Sequence, residues 1–422
     1  MTKKHRSRYR QQLAVAVLMG AAHLAYAYPA NWPSTATPPY NLGGSINGTY
    51  TDNSGKAYDG TGYIVVDIDG AFRPDHPAFK NAAGQSKVVA EGCFGQAATN
   101  GFPSLCKSQS WVNRPLPGNP SAGYWFSSAA GISLPSDSPI STCRDSTNYQ
   151  SPQYCHWFHG TVTSGVLVAQ PGSVMSGSTK LTYAGVAPGA QVIALKVGGG
   201  TGTTLGWPND SVLDALNYVN NVLMSRPDIG PKIVAVNISD SGSPIAGDLP
   251  CGTGSDGARV DAVAGALKAK GVAVVMSAGN DGQYATGSLV CGSNVVTVGA
   301  TGVIEPTVPT SYSNVSQKVA LFAPVGTANL ATGDMIVTTY GQSGWGYFWG
   351  TSFSSPQVAA AFAVLRQKFG KAPSVDSLVG LMKTTGKPLT GQRAGLAAPG
   401  ASVLNIKAAL NKYDSWPVRA PL

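Results

Sequence analysis

Short apolar runs alternate with helical segments through the middle of the chain, and this alternation restricts the fold more than any other feature. Five runs are mostly apolar, as strands buried on both faces require: residues 63–66, 191–197, 232–239, 271–279 and 294–300. Apolar residues at helical spacing mark segments 211–224 and 257–271 between them, and 355–370 follows a glycine-rich turn. The alternation predicts an α/β fold with a doubly wound, mostly parallel sheet and helices on both faces.

The amino-terminal part and one internal block depart from this pattern. Residues 1–27 combine a basic start, a short apolar run and the small-x-small ending Ala25-Tyr26-Ala27, which predicts a secretory signal peptide. The protein is therefore expected to be secreted or periplasmic. Residues 28–60 show no helical period and predict an extended arm. Residues 61–422 are interpreted as one domain, in which the polar, turn-rich and cysteine-rich segment 80–154 is a surface insertion.

The net charge of +9 exaggerates how basic the mature protein is. Residues 1–27 contain five Lys or Arg residues and no acid, so subtracting their five charges from +9 leaves +4. A charge that small favours neither nucleic acid nor a membrane surface as a partner. The apolar run of the signal peptide is too short to span a bilayer, and no other segment predicts a membrane span.

The chain has six cysteines, an even number that predicts disulfides in an exported protein. Fifteen connectivities are possible. Pairing nearest neighbours closes the shortest loops and gives 93–106, 143–155 and 251–291. A metal site formed by Cys155, His156 and His159 is the alternative. No second Cys/His cluster has zinc-ligand spacing, so no metal is predicted.

Polar residues that could carry chemistry follow several of the predicted strands or open helices. The segment 65–79, VVDIDGAFRPDHPAF, contains three acids; His159 opens an apolar helix; Asn280 follows the strand at 271–279; and Ser352 stands where a helix starts. Singly, each has a structural interpretation: a helix cap, a turn residue or a packed histidine. Together, Ser, His and Asp on separate segments are what nucleophilic acyl transfer requires.

Five blocks, in order, resemble the motifs of subtilisin-like serine proteases. They are HGTVTSGVLVA (159–169), GVAPGAQVIALKV (185–197), VNISDSG (236–242), SAGNDG (277–282) and GTSFSSPQVAAAFA (350–363). The resemblance covers about residues 60–412 and implies a secreted serine endopeptidase whose catalytic domain is 61–422. It implies that Ser352 is the nucleophile, His159 the general base and Asn280 an oxyanion donor, with the Ser352 N–H as the second donor.

The resemblance also selects among the three acids. A gap-free register from Gly62, or backwards from His76-Pro77, places the catalytic acid at Asp69. The family has glycine where Ala71 stands here, so Asp67 stays open as an alternative. The two acids share one face of the strand but lie about 6.6 Å apart along it, so only one of them can orient His159. If that acid is Asp69, Asp67 needs a hydrogen-bond donor or a raised pKa.

The resemblance implies that a protein or peptide substrate adds as a strand between residues 198–202 and 239–242. The implied substrate-binding residues are Gly200, Ser239, Asp240, Ser241, Gly242, Ser277, Ala278 and Gly279. Asp240 replaces an apolar residue of the family, which calls the usual apolar preference upstream of the cut into question.

No cofactor is expected for the chemistry, and the protein is expected to be a monomer. Many members have a calcium-binding acid after the His-Pro pair, where this chain has Ala78, and an asparagine-rich calcium loop, which segment 170–184 replaces. The usual calcium site is therefore expected to be absent, while a structural calcium elsewhere stays open.

Two other function classes stay open. A non-catalytic member of the fold could act as a binding or adhesion module. An esterase of the α/β-hydrolase type would carry a G-x-S-x-G elbow, but Ser354 stands where the second glycine should be.

Overall fold

The computed structural model describes residues 48–70, 72–95, 114–116, 119–127, 159–176, 179–197, 199–201, 204–329, 333–340 and 343–412. The helices are α1 (His159–Val168), α2 (Asn209–Asn221), α3 (Asp256–Ala269), α4 (Ser355–Phe369), α5 (Val375–Thr385) and α6 (Ile406–Lys412). Within these ranges, no helix has both the length and the apolar character needed to cross a membrane.

The strands are β1 (Tyr50–Thr51), β2 (Ala57–Tyr58), β3 (Ile64–Asp69), β4 (Val88–Gly95), β5 (Arg114–Leu116), β6 (Asn119–Ser127), β7 (Gly172–Ser176), β8 (Thr179–Tyr183), β9 (Gln191–Val197), β10 (Gly199–Thr201), β11 (Thr204–Gly206), β12 (Ile233–Ile238), β13 (Pro244–Ala246), β14 (Ala273–Ser277), β15 (Ala285–Gly287), β16 (Val295–Thr301), β17 (Val319–Pro324), β18 (Ile336–Tyr340), β19 (Gly344–Phe348), β20 (Lys387–Pro388) and β21 (Ser402–Val403).

One large sheet organises the described part of the chain. Its strand order is β20-β21-β17-β16-β14-β12-β3-β9-β4-β6-β5. The strands from β21 to β4 run parallel, and the outer strands at both edges pair antiparallel. The chain order reverses at β3, which lies between β9 and β12. The carboxyl end of β3 is therefore at the switch point where such sheets bind ligands. The predicted fold class is confirmed.

Helices cover both faces of this sheet because successive side chains of a strand point in opposite directions. Val65 of β3 packs in the apolar cluster that contains side chains of α1 and α4, whereas Val66 packs with α2 and α3. Asp67 and Asp69 continue the Val65 face, as predicted, so both acids point toward the α1 and α4 side. All six residues of β3 are buried.

The sheet extends into the segment that was predicted as a surface insertion. Residues 88–95 form β4, which pairs in parallel with β9. Glu91 and Gly92 interrupt its apolar run in the sequence, so no strand was predicted there. β6 and β5 then pair antiparallel beyond β4, and the other residues of the insertion lie outside the described ranges.

The disulfide between Cys251 and Cys291 is present, which confirms that predicted pair. Cys106, Cys143 and Cys155 lie outside the described residues, so the pairs 93–106 and 143–155 stay predictions. The alternative metal site lies partly outside them too. Within the described ranges, no group of three or more His, Cys, Asp or Glu residues could hold a metal ion.

The last turn of α4 joins segments from the two ends of the described chain. The Nζ of Lys368 donates to Asp52 Oδ2 at 3.0 Å and to the carbonyl of Leu410 at 2.9 Å. Gln367 accepts from two backbone N–H groups that follow β2. The described part of the predicted arm, from residue 48, is thus a β1–β2 hairpin anchored to α4.

Candidate active site

The carboxyl end of β3 and the start of α1 bring an acid and a histidine together. Asp69 is the last residue of β3, and His159 is the first of α1. The His159 Nδ1 lies 2.7 Å from Asp69 Oδ1, which also accepts from the Gly70 N–H at 2.5 Å. A carboxylate facing Nδ1 favours the tautomer protonated there, which leaves Nε2 as the basic nitrogen. Asp69 is fully buried, while the His159 side chain is 20% exposed.

The surroundings of His159 adjust its basicity in opposite directions. Burial, the largest single influence, lowers the pKa of the imidazole, but the carboxylates of Asp69, Asp67 and Asp240 together raise it further, so the pKa lies above its usual value. Trp207 and Phe353 flank the ring, with centroids 5.1 and 5.2 Å away. These rings limit how the imidazole can turn.

Asp67 lies deeper in the same face and has its own set of donors. Its Oδ1 accepts from Asn237 Nδ2 at 2.8 Å, and its Oδ2 accepts from Ser164 Oγ at 2.7 Å and from Thr163 Oγ1 at 2.9 Å. Burial, together with the Asp69 carboxylate, raises the pKa of Asp67 to about 7. The donor and the raised pKa expected for a second acid beside Asp69 both occur.

The third acid of the motif takes part in a surface ion pair. Asp75 contacts Arg73 at 2.7 Å on a partly exposed loop. The next residue, His76, is buried: its Nε2 lies 3.0 Å from the Gly344 carbonyl, and its Nδ1 accepts from Ala78 N–H. His76 is therefore a packed histidine.

Ser352 lies in a tight turn that leads into α4. Gly350, at φ +121°, provides a backbone conformation that other residues rarely adopt, and a short helical turn over Thr351–Phe353 follows. The Ser352 hydroxyl lies 3.4 Å from the Ser239 carbonyl, and the Ser239 hydroxyl donates to the Ser352 carbonyl at 2.8 Å. Ser352 is partly exposed, whereas Ser354 and Ser355 are fully buried.

Two hydrogen bonds to its side-chain oxygen fix the orientation of the Asn280 amide. Both the N–H and the hydroxyl of Thr351 donate to Asn280 Oδ1, at 2.8 and 2.9 Å, and Gly279 N–H donates to the same hydroxyl oxygen at 3.2 Å. With the oxygen engaged, the exposed amide presents Nδ2 as a donor.

All the residues implied in substrate binding except Gly200 lie at the carboxyl ends of two neighbouring strands. The segment 239–242 follows β12, and 277–279 ends β14 and continues past it. Asp240 Oδ1 accepts from the N–H groups of Ser241 and Gly242, at 2.8 and 3.0 Å. Ser277 and Ala278 are buried. Gly279 and Gly242 have positive φ, and Gly200 lies in β10, which pairs with β11.

A comparison with family models identifies the family of the chain. The model of the subtilase family matches residues 60–400, which is most of the chain. The chain belongs to the subtilase family. The expected family membership is therefore confirmed.

Curated relatives of this subtilase include two named proteases. It is 28% identical over 345 residues to an extracellular protease of Xanthomonas campestris pv. campestris, a match that covers 79% of this chain and 53% of the relative. It is 29% identical over 217 residues to subtilisin-like protease 9 of Arthroderma otae, covering 51% of this chain and 44% of the relative. The chain spans about half the length of the curated relatives it matches.

Solved structures agree on the fold. A protease from Pseudoalteromonas arctica PAMC 21717 has a TM-score of 0.52 at 21% identity, covering 84% of this chain and 90% of that one. A prenylagaramide maturation protease has a TM-score of 0.50 at 17% identity, covering 83% and 92%. At these identities the likeness concerns the fold of the subtilase alone.

Several residues around the site were not found from the sequence. Thr163, Ser164 and Asn237 surround Asp67, Thr351 holds the Asn280 amide, and Trp207 contacts the His159 ring. The available signal for the first group was Asp67 itself, because a buried acid needs donors from neighbouring elements. Within segment 170–184, where the sequence predicts no calcium loop, the described residues form the hairpin β7–β8.

Proposed function

We propose that this subtilase is an exported serine endopeptidase. The observation that carries the proposal is the 2.7 Å contact between His159 Nδ1 and Asp69 Oδ1, formed where β3 meets α1. Asp69 orients the imidazole, which takes the Ser352 proton as the hydroxyl attacks the peptide carbonyl and later protonates the leaving amine. Nδ2 of Asn280 and the Ser352 N–H stabilise the oxyanion. The extracellular protease among the relatives and the basic, apolar start of the chain support export.

The same proposal places the peptide substrate along residues 239–242. The Ser239 carbonyl, which the Ser352 hydroxyl contacts at 3.4 Å, is a free acceptor for a substrate N–H once that hydroxyl turns to His159. Residues 277–279 wall the side-chain pocket beside Asn280. Gly200 lies in the segment on the other side of the proposed substrate strand. Asp240 adds a carboxylate to the upstream subsites, where a basic or polar substrate residue fits better than an apolar one.

Ser352→Ala tests the nucleophile. Turnover of denatured casein should fall by on the order of a million-fold, the scale known for a nucleophile deletion in subtilisin. A serine-directed phosphonate should label the wild type and not the variant. Ser354→Ala is the matched control, because this neighbouring hydroxyl is fully buried and should leave labelling intact. Activity retained by Ser352→Ala and lost by Ser354→Ala would contradict the assignment.

The two other function classes give different results in the same assays. A binding module would show no phosphonate labelling in a folded wild-type protein. An esterase would turn over activated esters without cutting casein. Casein cleavage that depends on Ser352 contradicts both.

A further inference from the structure

The hydroxyl of Thr163 has one proton to donate, but four acceptor oxygens lie within hydrogen-bond distance of it. Its Oγ1 lies 2.9 Å from Asp67 Oδ2 and 3.2 Å from each of three other oxygens: Asp69 Oδ2 and the carbonyls of His159 and Gly160. A hydroxyl donates a single hydrogen bond. Thr163 can therefore satisfy Asp67 or Asp69, but not both, unless one carboxyl group supplies a proton of its own.

A protonated Asp67 resolves this conflict. Its Oδ2–H donates to Thr163 Oγ1, and the Thr163 proton then turns to Asp69 Oδ2. Asp69 Oδ1 already accepts from His159 and from the Gly70 N–H. In this arrangement both oxygens of Asp69 are held, and the two fully buried acids carry one negative charge between them.

We propose that Asp67 is a positioning residue of the reaction, acting through the Thr163 hydroxyl on the second carboxylate oxygen of Asp69. The inference rests on the proposed function, because it concerns the acid that orients the base. Asp67 touches no substrate in this scheme. Its protonated carboxyl group fixes the Asp69 carboxylate in the plane that His159 requires, which limits rotation of the imidazole.

Loss of the Asp67 proton should reverse the arrangement. The nearer oxygen, Asp67 Oδ2, then draws the Thr163 hydroxyl away from Asp69, and a second negative charge acts on His159. Both changes stabilise the imidazolium, the inactive form of a general base. Among the described residues, the charged or titratable groups on this face are Asp69 on the same strand, His159 from α1, Lys196 from β9 and Glu91 from β4. Asp240 follows β12 and also acts on His159, whereas β12 itself presents the neutral Asn237.

Asp67→Asn provides the direct test, since an amide in that place offers two N–H donors to Thr163 and Ser164 but cannot ionise. The ascending limb of kcat/KM against pH, measured on an uncharged chromogenic peptide, should move down by about half a pH unit or more. Its slope should become that of one proton, because the amide removes the second ionisation that is coupled to His159. A limb that superimposes on the wild-type limb would overturn the proposal.

Thr163→Val and Ser164→Ala separate positioning from simple packing. Both variants remove a hydroxyl that contacts Asp67, but only Thr163 also contacts Asp69. Thr163→Val should lower kcat about tenfold with KM changed less than about twofold, and Ser164→Ala should not. In the Thr163→Val background, Asp67→Asn should shift the limb by at most about half as much. Equal losses of kcat in Thr163→Val and Ser164→Ala would contradict a positioning role that acts through Thr163. So would a shift of the pH limb that Asp67→Asn causes to the same extent with and without Thr163→Val.

A spectroscopic readout keeps the test independent of turnover. The low-field proton resonance of His159 Nδ1–H should titrate at lower pH in Asp67→Asn than in wild type. The resonance can be followed in a folded chain that cuts no peptide, so failure of the proposed function and failure of this inference give different results. A resonance that titrates at the same pH in both chains would overturn the inference even in an active enzyme.

Discussion

Asp69 is the residue of the main sheet that contacts and orients His159, the candidate base. It ends the central strand, and its oxygen is 2.7 Å from His159 Nδ1, while Asp67 is engaged by Thr163, Ser164 and Asn237. The two acids share one face of β3, yet only one of them contacts the imidazole. This difference in contacts predicts different consequences for two chemically identical substitutions.

Asp69→Asn should lower kcat by about ten-thousand-fold, the cost of the same change in a trypsin-like enzyme, because the amide permits the wrong imidazole tautomer. Asp67→Asn is the matched comparison and should lower kcat far less, because its amide still donates to Thr163 as a protonated Asp67 does. Steady-state kinetics on the two folded variants makes the comparison. The reverse ranking would mean that Asp67 is the orienting acid and that the register of the catalytic strand is shifted by two residues.

Asn280→Ala should lower kcat by about 100- to 1,000-fold with little change in KM, the range that loss of one oxyanion donor costs in subtilisin. Thr351→Val should cause a smaller loss, since Asn280 Oδ1 keeps the Thr351 N–H after the hydroxyl is removed. Single-turnover kinetics separates the chemical step from binding. An effect confined to KM would indicate that Asn280 only binds substrate.

At the scale of elements, the loops that follow β12 and β14 are tied together by the Cys251–Cys291 disulfide. The Cys251–Cys291 bond links the approach to α3 with the segment before β16, and so brackets the strand that leads to Asn280. The first turn of α3 leaves room for it at Gly257, where a Cβ would lie 2.4 Å from Cys291 Sγ.

Replacing both cysteines with alanine should lower the free energy of unfolding by about 4 kcal/mol, since the bond closes a loop of 40 residues. Activity at a fixed temperature should fall in parallel, because Asn280 lies inside that loop. Denaturant unfolding with and without reductant measures the change. A double variant as stable as the oxidised wild type would contradict a stabilising role for this bond.

The strands and helices around the site could be predicted because their apolar runs are long and regular, as in β9 and β12. β4 could not, because Glu91 and Gly92 interrupt its pattern and only pairing with β9 reveals the strand. Within the site, ordered motifs gave the positions of His159 and Ser352, whose roles stay predictions. Thr163 gave no signal, since its importance depends on which oxygens the fold brings within 3.2 Å.

At the scale of the whole molecule, the buried Asp67 makes folding depend on pH. Its pKa is raised from the ordinary value of 3.8 to about 7 in the folded chain. At a pH between these two values, the folded chain therefore retains a proton that the unfolded chain releases. The folded state then binds more protons, and its stability falls as pH rises through this window.

Asp67→Asn should remove that loss. The free energy of unfolding of the variant, relative to wild type, should improve by up to about 4 kcal/mol between pH 4 and pH 8, about 1.4 kcal/mol for each unit of pKa shift. Urea denaturation across this range measures the difference. Parallel curves for the two proteins would show that Asp67 titrates alike in the folded and unfolded chains.

The attachment of both ends of the described chain to α4 has a consequence for the order in which the molecule is completed during synthesis. Lys368 joins Asp52, 316 residues earlier, to the carbonyl of Leu410, and contacts of such separation form late in folding. The helix that begins just after Ser352 therefore receives its final supports only when almost the entire described chain has been made.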